Sequence, residues 1–409
     1  MTTTLAQPAD SATPSRLYDR NFALAVAGQT CFVIANTLMA HYARWIEFLG
    51  GDLRQVGLVM GLGSLMGLVL RPWMAQWMNR LGARTMWAIG YGVFAVSSLS
   101  NLLLYELSPL IYVCRSGVVL GVAIVFASGL TYISQIAPAP RRAEAIGILG
   151  VGGFLGMLVG PLLGDLVLGL DDRQRGDFVV FFVVAAVANL VPALLLFFIR
   201  APERSPDPVT IRLAEFLTTV RRHWPGSILL VDLAFGVCMT GPFVFVASFI
   251  DGEPLHIEGV SMLGLFFWFY AGPAILIRVF GRRWPEQWGT RRVLIIGGVL
   301  MSIGMLAFGM VDSDHPWLIL LPAVLAGSGH SLMFHTMTAL TLETFPTAVR
   351  GTGAALALMM LDLGTIGGAP VLGTIGEHFG FASLFASIAG ISFFAVTIYA
   401  IATRNTGIR

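Results

Sequence analysis

The chain contains no lysine; all 25 of its basic residues are arginine. Charge of either sign is scarce, since Asp, Glu and Arg make up 12% of 409 residues. That is about half the share found in a soluble domain. A water-covered globular surface is therefore excluded, and a mean hydropathy of +0.79 excludes it again. The net charge of +2 provides no basic field for a nucleic-acid partner. Cysteine is limited to Cys31, Cys114 and Cys238, each inside an apolar run, which argues against a disulfide framework and for packing roles. Neither HExxH nor GxSxG occurs, and the GSGHS stretch at 327–331 does not supply a nucleophile elbow, so no intramembrane enzyme is expected. No cofactor or metal motif is present either. His330 and His335 would sit about 140° apart around a helix, which suits no shared ion.

What is present is long apolar sequence. A membrane-spanning helix needs about 20 predominantly apolar residues, and the runs here are that long and do not alternate as barrel strands would. Twelve spans are expected, at 22–43, 54–78, 84–105, 108–136, 143–168, 178–199, 226–250, 259–281, 291–311, 316–342, 351–376 and 380–402. They leave no room for a soluble catalytic domain. Residues 1–19 are rich in Ser, Thr and Pro and read as a disordered tail, with 404–409 as a second tail. No positively charged stretch precedes a short apolar run, so no cleaved signal peptide is expected. With both termini placed in the cytoplasm, 18 arginines fall on the inside and 4 (Arg44, Arg54, Arg173 and Arg175) on the outside. That bias fixes the expected orientation. The longest inside segment, 200–225, joins span six to span seven. Its Leu213, Phe216, Leu217, Val220 and Trp224 recur at helical spacing beside Arg212, Arg221 and Arg222, the pattern of an interfacial amphipathic helix within a tether.

The chain also repeats itself. RPWMAQWMNRLGAR at 71–84 returns 207 residues later as RVFGRRWPEQWGTR, with Arg71/Arg278, Trp77/Trp284, Gly82/Gly289 and Arg84/Arg291 identical. A shift of 208 pairs Pro138 with Pro346, Arg142 with Arg350, Gly156 with Gly364 and Gly160 with Gly368. Two six-helix halves of the same orientation follow, 20–199 and 226–403. Parallel repeats of this kind are a known transporter architecture.

On these residues the chain resembles the major facilitator superfamily over about 20–403. The family's signature between helices two and three matches at Arg80, Gly82 and Arg84, and departs from the pattern at Ala75 and at Asn79, where the family has an acid. The second copy keeps its acid as Glu286, ahead of Gly289 and Arg291. The resemblance implies that these residues, Asn79 included, act as a conformational gate. The family's helix-four arginine matches Arg115, and its helix-five signature, often associated with exporters, matches Gly156, Gly160, Pro161 and Gly164, with Asp165 in place of the final glycine. It implies that helix five packs against helix eight.

Charge at membrane depth is costly and marks candidate function. Asp362 near the middle of helix eleven is a candidate proton or substrate group, its rival role being a structural hydrogen bond between the halves. Arg115 lies about 10 Å below the outer boundary, and His330 lies near the middle of helix ten. Gln29 and Asn36 on helix one are polar candidates for a cavity. Asp232, about 9 Å from the inner face, suits a gate or a cap. His41 and Asp165 are placed near the outer ends, within reach of water. Gly152, Gly156, Gly160 and Gly164 recur every four residues, a stripe that admits a close helix, either for sliding or for static packing. In the aromatic run Phe266–Tyr270, most rings must face lipid or packing. The expectation is an all-α inner-membrane protein of two pseudo-symmetric six-helix bundles. It would act as a monomeric secondary transporter that moves a small organic solute or drug by alternating access, with proton-coupled export favoured and uptake by symport or uniport as the alternative.

Overall fold

A computed structural model describes residues 17–138, 141–169, 173–201, 213–346 and 349–404. Every regular element among the described residues is helical. The spans are α1 (Arg20–Phe48, crossing a 3₁₀ turn at Met39–His41), α2 (Leu53–Gly63 and Leu65–Leu81), α3 (Ala83–Leu103) and α4 (Leu110–Ile136). α5 (Arg142–Leu168) and α6 (Arg175–Phe198) complete the first half. The second half holds α7 (Ile228–Gly252), α8 (Met262–Phe280), α9 (Thr290–Met310) and α10 (Pro316–Glu343). A continuous run, Arg350–Ala402, is broken at Gly380, whose φ of 79° and ψ of 170° end one helix and start another. The parts before and after it are α11 and α12. The described residues thus form twelve spanning helices, as the apolar runs anticipate, in an integral multi-pass membrane protein.

Local chemistry sets the ends. Asp19 caps α1 by accepting from the Phe22 N–H at 2.7 Å. Asp52 and Gln55 form a reciprocal capping box on α2. Gly82 and Gly289, the paired glycines of the repeat, both turn the chain at positive φ (86° and 89°), a conformation that only glycine adopts freely. The tail expectation is corrected at its last residues: Leu17 is buried, and the Tyr18 hydroxyl donates to Glu144 at the start of α5. Residues 1–16 and 405–409 lie outside the described residues. The linker helix forms over Leu213–Arg222. Val220 and Phe216 pack with Leu229, Phe345 and Leu356, while Leu217 and Trp224 stay exposed. The apolar face of this helix is thus split between the bundle and the surface.

The glycine stripe of α5 packs differently from the expectation. A Cβ on Gly156 would lie 2.6 Å from Val33, one on Gly160 2.1 Å from the Thr37 hydroxyl, one on Gly152 2.5 Å from Thr30 and one on Gly164 2.2 Å from His41. All four partners belong to α1, in the same half. The Thr37 hydroxyl also donates to the Gly156 carbonyl at 3.1 Å. Helix α8 meets the opposite side of α5, where Phe154, Met157 and Leu158 pack with Ala271, Ala274 and Ile275. Residues 154 and 156 differ by about 200° around a helix, so one face cannot serve both neighbours. The repeat holds here too, because a Cβ on Gly364 of α11 would meet the Leu233 carbonyl of α7 at 2.0 Å.

Candidate functional site

The two largest interfaces between the halves are α2 against α11 and α5 against α8, and α1 meets α7 in a smaller one. The first is close at the end away from the chain termini. A Cβ on Gly57 would lie 2.3 Å from the Ala369 carbonyl, and one on Gly61 2.7 Å from Pro370. Further along, Arg71 forms an ion pair with Asp362, each side chain about one-fifth exposed. Side chains on a helix lean toward its N-terminus. Arg71 therefore leans from the arginine-rich end back toward the membrane centre, where Asp362 stands. Asp362 thus has a charged partner, Arg71, on the other half.

Arg278, the repeat mate of Arg71, occupies the matching place on α8. The residue that corresponds to Asp362 under the shift of 208 is Phe154. Arg278 stacks over that ring, 5.0 Å from its centroid, and lies 5.9 Å from the Phe334 ring of α10. Gly150, one turn from Phe154, makes room for it, since a Cβ there would be 2.7 Å from Nη1. Arg278 has no hydrogen bond or ion pair among the described residues, and its Nε is enclosed.

His330 joins the same wall. Its ring is 5.2 Å from Phe154 and 5.2 Å from Phe235, and Nδ1 shares a 2.6 Å hydrogen bond with the Tyr270 hydroxyl. The other ring nitrogen has no partner among the described residues and is not sealed from solvent. Arg115 stands elsewhere, on α4, 4.8 Å from the Tyr42 ring, with Nε and Nη1 enclosed and without a partner among the described residues. Gln29 is buried, with both amide atoms unpartnered among the described residues, beside Gly129 of α4. Asn36 is half-buried on α1. The candidates therefore fall into two groups, Asp362 with Arg71 and His330 with Arg278, while Arg115, Gln29 and Asn36 stay on the first half. Of the aromatic run, Phe266, Phe267 and Tyr270 are buried and Trp268 and Phe269 are exposed.

The end away from the termini is sealed by a charge network that spacing along the sequence could not show. The Arg44 guanidinium donates to Asp251 through Nε and Nη2, both at 2.9 Å, and to Asp165 through Nη1 at 2.5 Å. Arg173 donates to Asp251 at 2.7 Å, and the Ser261 hydroxyl donates to Asp165 at 2.6 Å. Arg44 also bonds His41 Nδ1 at 2.8 Å, while His41 Nε2 meets the Pro161 carbonyl at 2.9 Å. That pairing sets the tautomer with the proton on Nε2. Arg44, Asp165 and Arg173 belong to the first half, Asp251 and Ser261 to the second. His41 and Asp165 are 0% and 3% exposed, which corrects their placement within reach of water. Apart from His41 and Arg44, which are three residues apart, the partners in this network lie 78 to 207 residues apart along the chain, so no local pattern marks them.

The other end has no matching seal among the described residues. Arg80 and Glu286 are exposed, and neither has an ion pair there. The Asn79 side chain lies outside the described ones. Arg84 is half-buried. Arg291 donates to the Thr403 hydroxyl at 2.8 Å and to the Ala400 carbonyl at 2.6 Å, tying α9 to the end of α12. Asp232 is fully buried and accepts from the Thr341 hydroxyl at 2.8 Å. All three bonds stay inside the second half.

The sequence model of the Major Facilitator Superfamily matches residues 21–285 and 259–407. Multidrug resistance protein MdtG of Salmonella paratyphi C is 24% identical over 279 residues, and that of Salmonella typhimurium is likewise 24% identical. In each case the match covers 64% of this chain and 64% of the relative, so the chain spans about two-thirds of the length of these proteins at most. Among solved structures, the nucleoside transporter NupG superposes with a TM-score of 0.76 at 13% identity, covering 94% of this chain and 99% of that one. A D-xylose-proton symporter gives 0.72 at 15%, covering 92% and 96%. An inward-facing, occupied bacterial homologue of the lysosomal transporter Spinster gives 0.70 at 16%, covering 96% and 98%. These likenesses establish the fold, and with the match across both halves the chain belongs to the major facilitator superfamily.

Proposed function

We propose that the protein is a secondary transporter that exports a small organic solute or drug in exchange for protons, by alternating access between its halves. The observation that carries this reading is the Arg71–Asp362 ion pair, which bridges the two halves at membrane depth. A carboxylate there is costly unless paired. Protonation of Asp362 removes its charge, breaks the pair and loosens α2 from α11, so proton binding and rearrangement become one event. The relatives named for multidrug resistance and the helix-five signature support export. Family membership supports a carrier rather than an enzyme.

In this reading 20–199 and 226–403 are the moving bundles, 200–225 is their tether, and both termini face the cytoplasm of a bacterial inner membrane. The sealed end is the outer one, held by Arg44, Asp165, Asp251 and Arg173, and the arginine-rich inner face, which has no matching seal among the described residues, is the one that opens. Arg80, Gly82, Arg84, Glu286, Gly289 and Arg291 form the inner loops that would close in the opposite state. The protein acts as a monomer. The test is accumulation of anionic, neutral and cationic dyes and drugs in cells stripped of their own pumps. The wild type lowers accumulation of at least one compound, and collapsing the proton gradient or Asp362→Asn removes the effect, while substrate exchange in vesicles survives the substitution. Wild-type coupling in Asp362→Asn removes this residue from the mechanism. Inward flux driven by the same gradient selects uptake instead.

A further inference from the structure

Two arginines of the interior have no acid beside them. Apart from the charge network of the sealed end, which Glu47 adjoins, the spans place three arginines at depth among the described residues, Arg71, Arg115 and Arg278, and two carboxylates, Asp232 and Asp362. Asp362 is taken by Arg71, and Asp232 is fully buried against Thr341. No carboxylate there is free to receive a cation. Arg278 instead presents an unpaired guanidinium at the junction of the halves, against Gly150 and Phe154 of one and Phe334 of the other.

Holding a cation there is costly. The two rings offset part of the cost through their π faces, but they offer no acceptor to the five N–H donors of a guanidinium. The Arg71 side of the repeat shows what meets this need, a carboxylate at position 362. On the Arg278 side the corresponding place holds Phe154, so the protein itself supplies no acid. His330 borders the same ring, with Nδ1 committed to Tyr270 and Nε2 without a partner among the described residues. Two polar groups thus face an aromatic wall and lack a common acceptor.

We propose that the α5–α8–α10 wall is an organic-anion subsite, in which Arg278 and His330 Nε2 hold the acid group of the transported solute and Phe154 and Phe334 flank its planar apolar body. The proposal rests on the transporter reading and names its substrate class. The guanidinium takes carboxylate, sulfonate or phosphonate oxygens through paired N–H groups, and His330 adds a hydrogen bond when its Nε2 carries the proton. The ligand's acid then plays toward Arg278 the part that Asp362 plays toward Arg71.

The test is equilibrium binding of two dyes that share a xanthene body and differ in charge, anionic fluorescein and cationic rhodamine 6G, to the full chain in lipid nanodiscs. Fluorescein is expected to bind saturably and at least tenfold more tightly than rhodamine 6G. Arg278→Gln weakens fluorescein tenfold or more, Arg278→Lys weakens it less, and His330→Gln weakens it a few-fold. Phe154→Asp, which sets a competing carboxylate beside Arg278, also blocks fluorescein and serves where Arg278→Gln fails to fold. Absence of saturable fluorescein binding, equal or tighter binding of rhodamine 6G, or fluorescein affinity unchanged in Arg278→Gln each overturns the subsite. Binding of fluorescein without its flux in proteoliposomes keeps the subsite and removes the exporter reading. Gradient-driven flux of rhodamine 6G that Arg278→Gln does not alter keeps the transporter and removes the subsite.

Discussion

The two crossings between the halves are built from the same repeat and filled with opposite chemistry. At α2–α11 an arginine meets a carboxylate, Arg71 with Asp362, and at α5–α8 the matching arginine meets a ring, Arg278 with Phe154. The backbone plan is shared. Each arginine sits on a helix running toward the arginine-rich end and leans back toward the centre. At the matching position of the repeat, one crossing holds an ionisable carboxyl group, Asp362, and the other a ring, Phe154. In the proposed mechanism the first crossing carries the coupling and the second recognises the solute.

The sharpest way to break this comparison is to exchange the two fillings. Asp362→Phe makes the first crossing resemble the second, and it is expected to abolish proton-driven net flux while counterflow of solute persists. Phe154→Asp makes the second resemble the first, and turnover is expected to fall tenfold or more as a second ion pair ties the halves. Flux assays in proteoliposomes under an imposed pH gradient read both outcomes. Retained proton drive in Asp362→Phe would show that the charge at this crossing is incidental.

A smaller effect is expected at the sealed end. Arg44→Ala leaves Asp165 without its cation and strips Asp251 of one of two, and breaking a buried pair in this way costs roughly 3–5 kcal/mol. The closure at this end loses that much support. Ser248, 3% exposed behind the network, becomes the reporter as Ser248→Cys. With the native cysteines replaced, its labelling by a membrane-impermeant maleimide is expected to rise at least tenfold when Arg44→Ala is added. Unchanged labelling would mean that packing of α2 against α11 alone holds this end.

Packing inside one half gives a smaller change again. Gly156→Leu forces α5 away from Val33 of α1 and is expected to cost about 1–3 kcal/mol, seen as a lower Tm of the purified protein. A Cβ at Gly153 would meet nothing within 4 Å, so Gly153→Ala is expected to leave Tm unaltered. Smallest of all, Arg80→Gln is expected to leave Tm unaltered, because that side chain is exposed and unpaired among the described residues.

Much of the fold was legible because lipid imposes it. Apolar length marks all twelve spans, and the turn glycines Gly82 and Gly289 announce themselves through the repeat. The glycine stripe of α5 was legible as a stripe, but its partner was not. Spacing shows which residues share a face, whereas the neighbour is chosen by the whole bundle, and here the signature pointed to α8 while Thr30, Val33 and Thr37 of α1 fill the groove. Asp362 stood out from the sequence because an acid at membrane depth is rare. Arg71 did not stand out as its partner, since 291 residues separate them. The network at the sealed end escaped for the same reason: Arg44 and Arg173 read as loop charges, and only the folded chain brings them to Asp251.

The central claim, that protonation of Asp362 loosens the crossing of the two halves, is tested most directly by a distance across the sealed end as pH changes. Spin labels at Glu106→Cys in the first half and Glu258→Cys in the second, both exposed positions, report that distance by double electron–electron resonance in a background without native cysteines. The account predicts that acidification lengthens the distance in the otherwise wild-type chain, whereas Asp362→Asn shows the longer distance already at neutral pH and no further change. The same pH-dependent lengthening in Asp362→Asn as in its parent would contradict it.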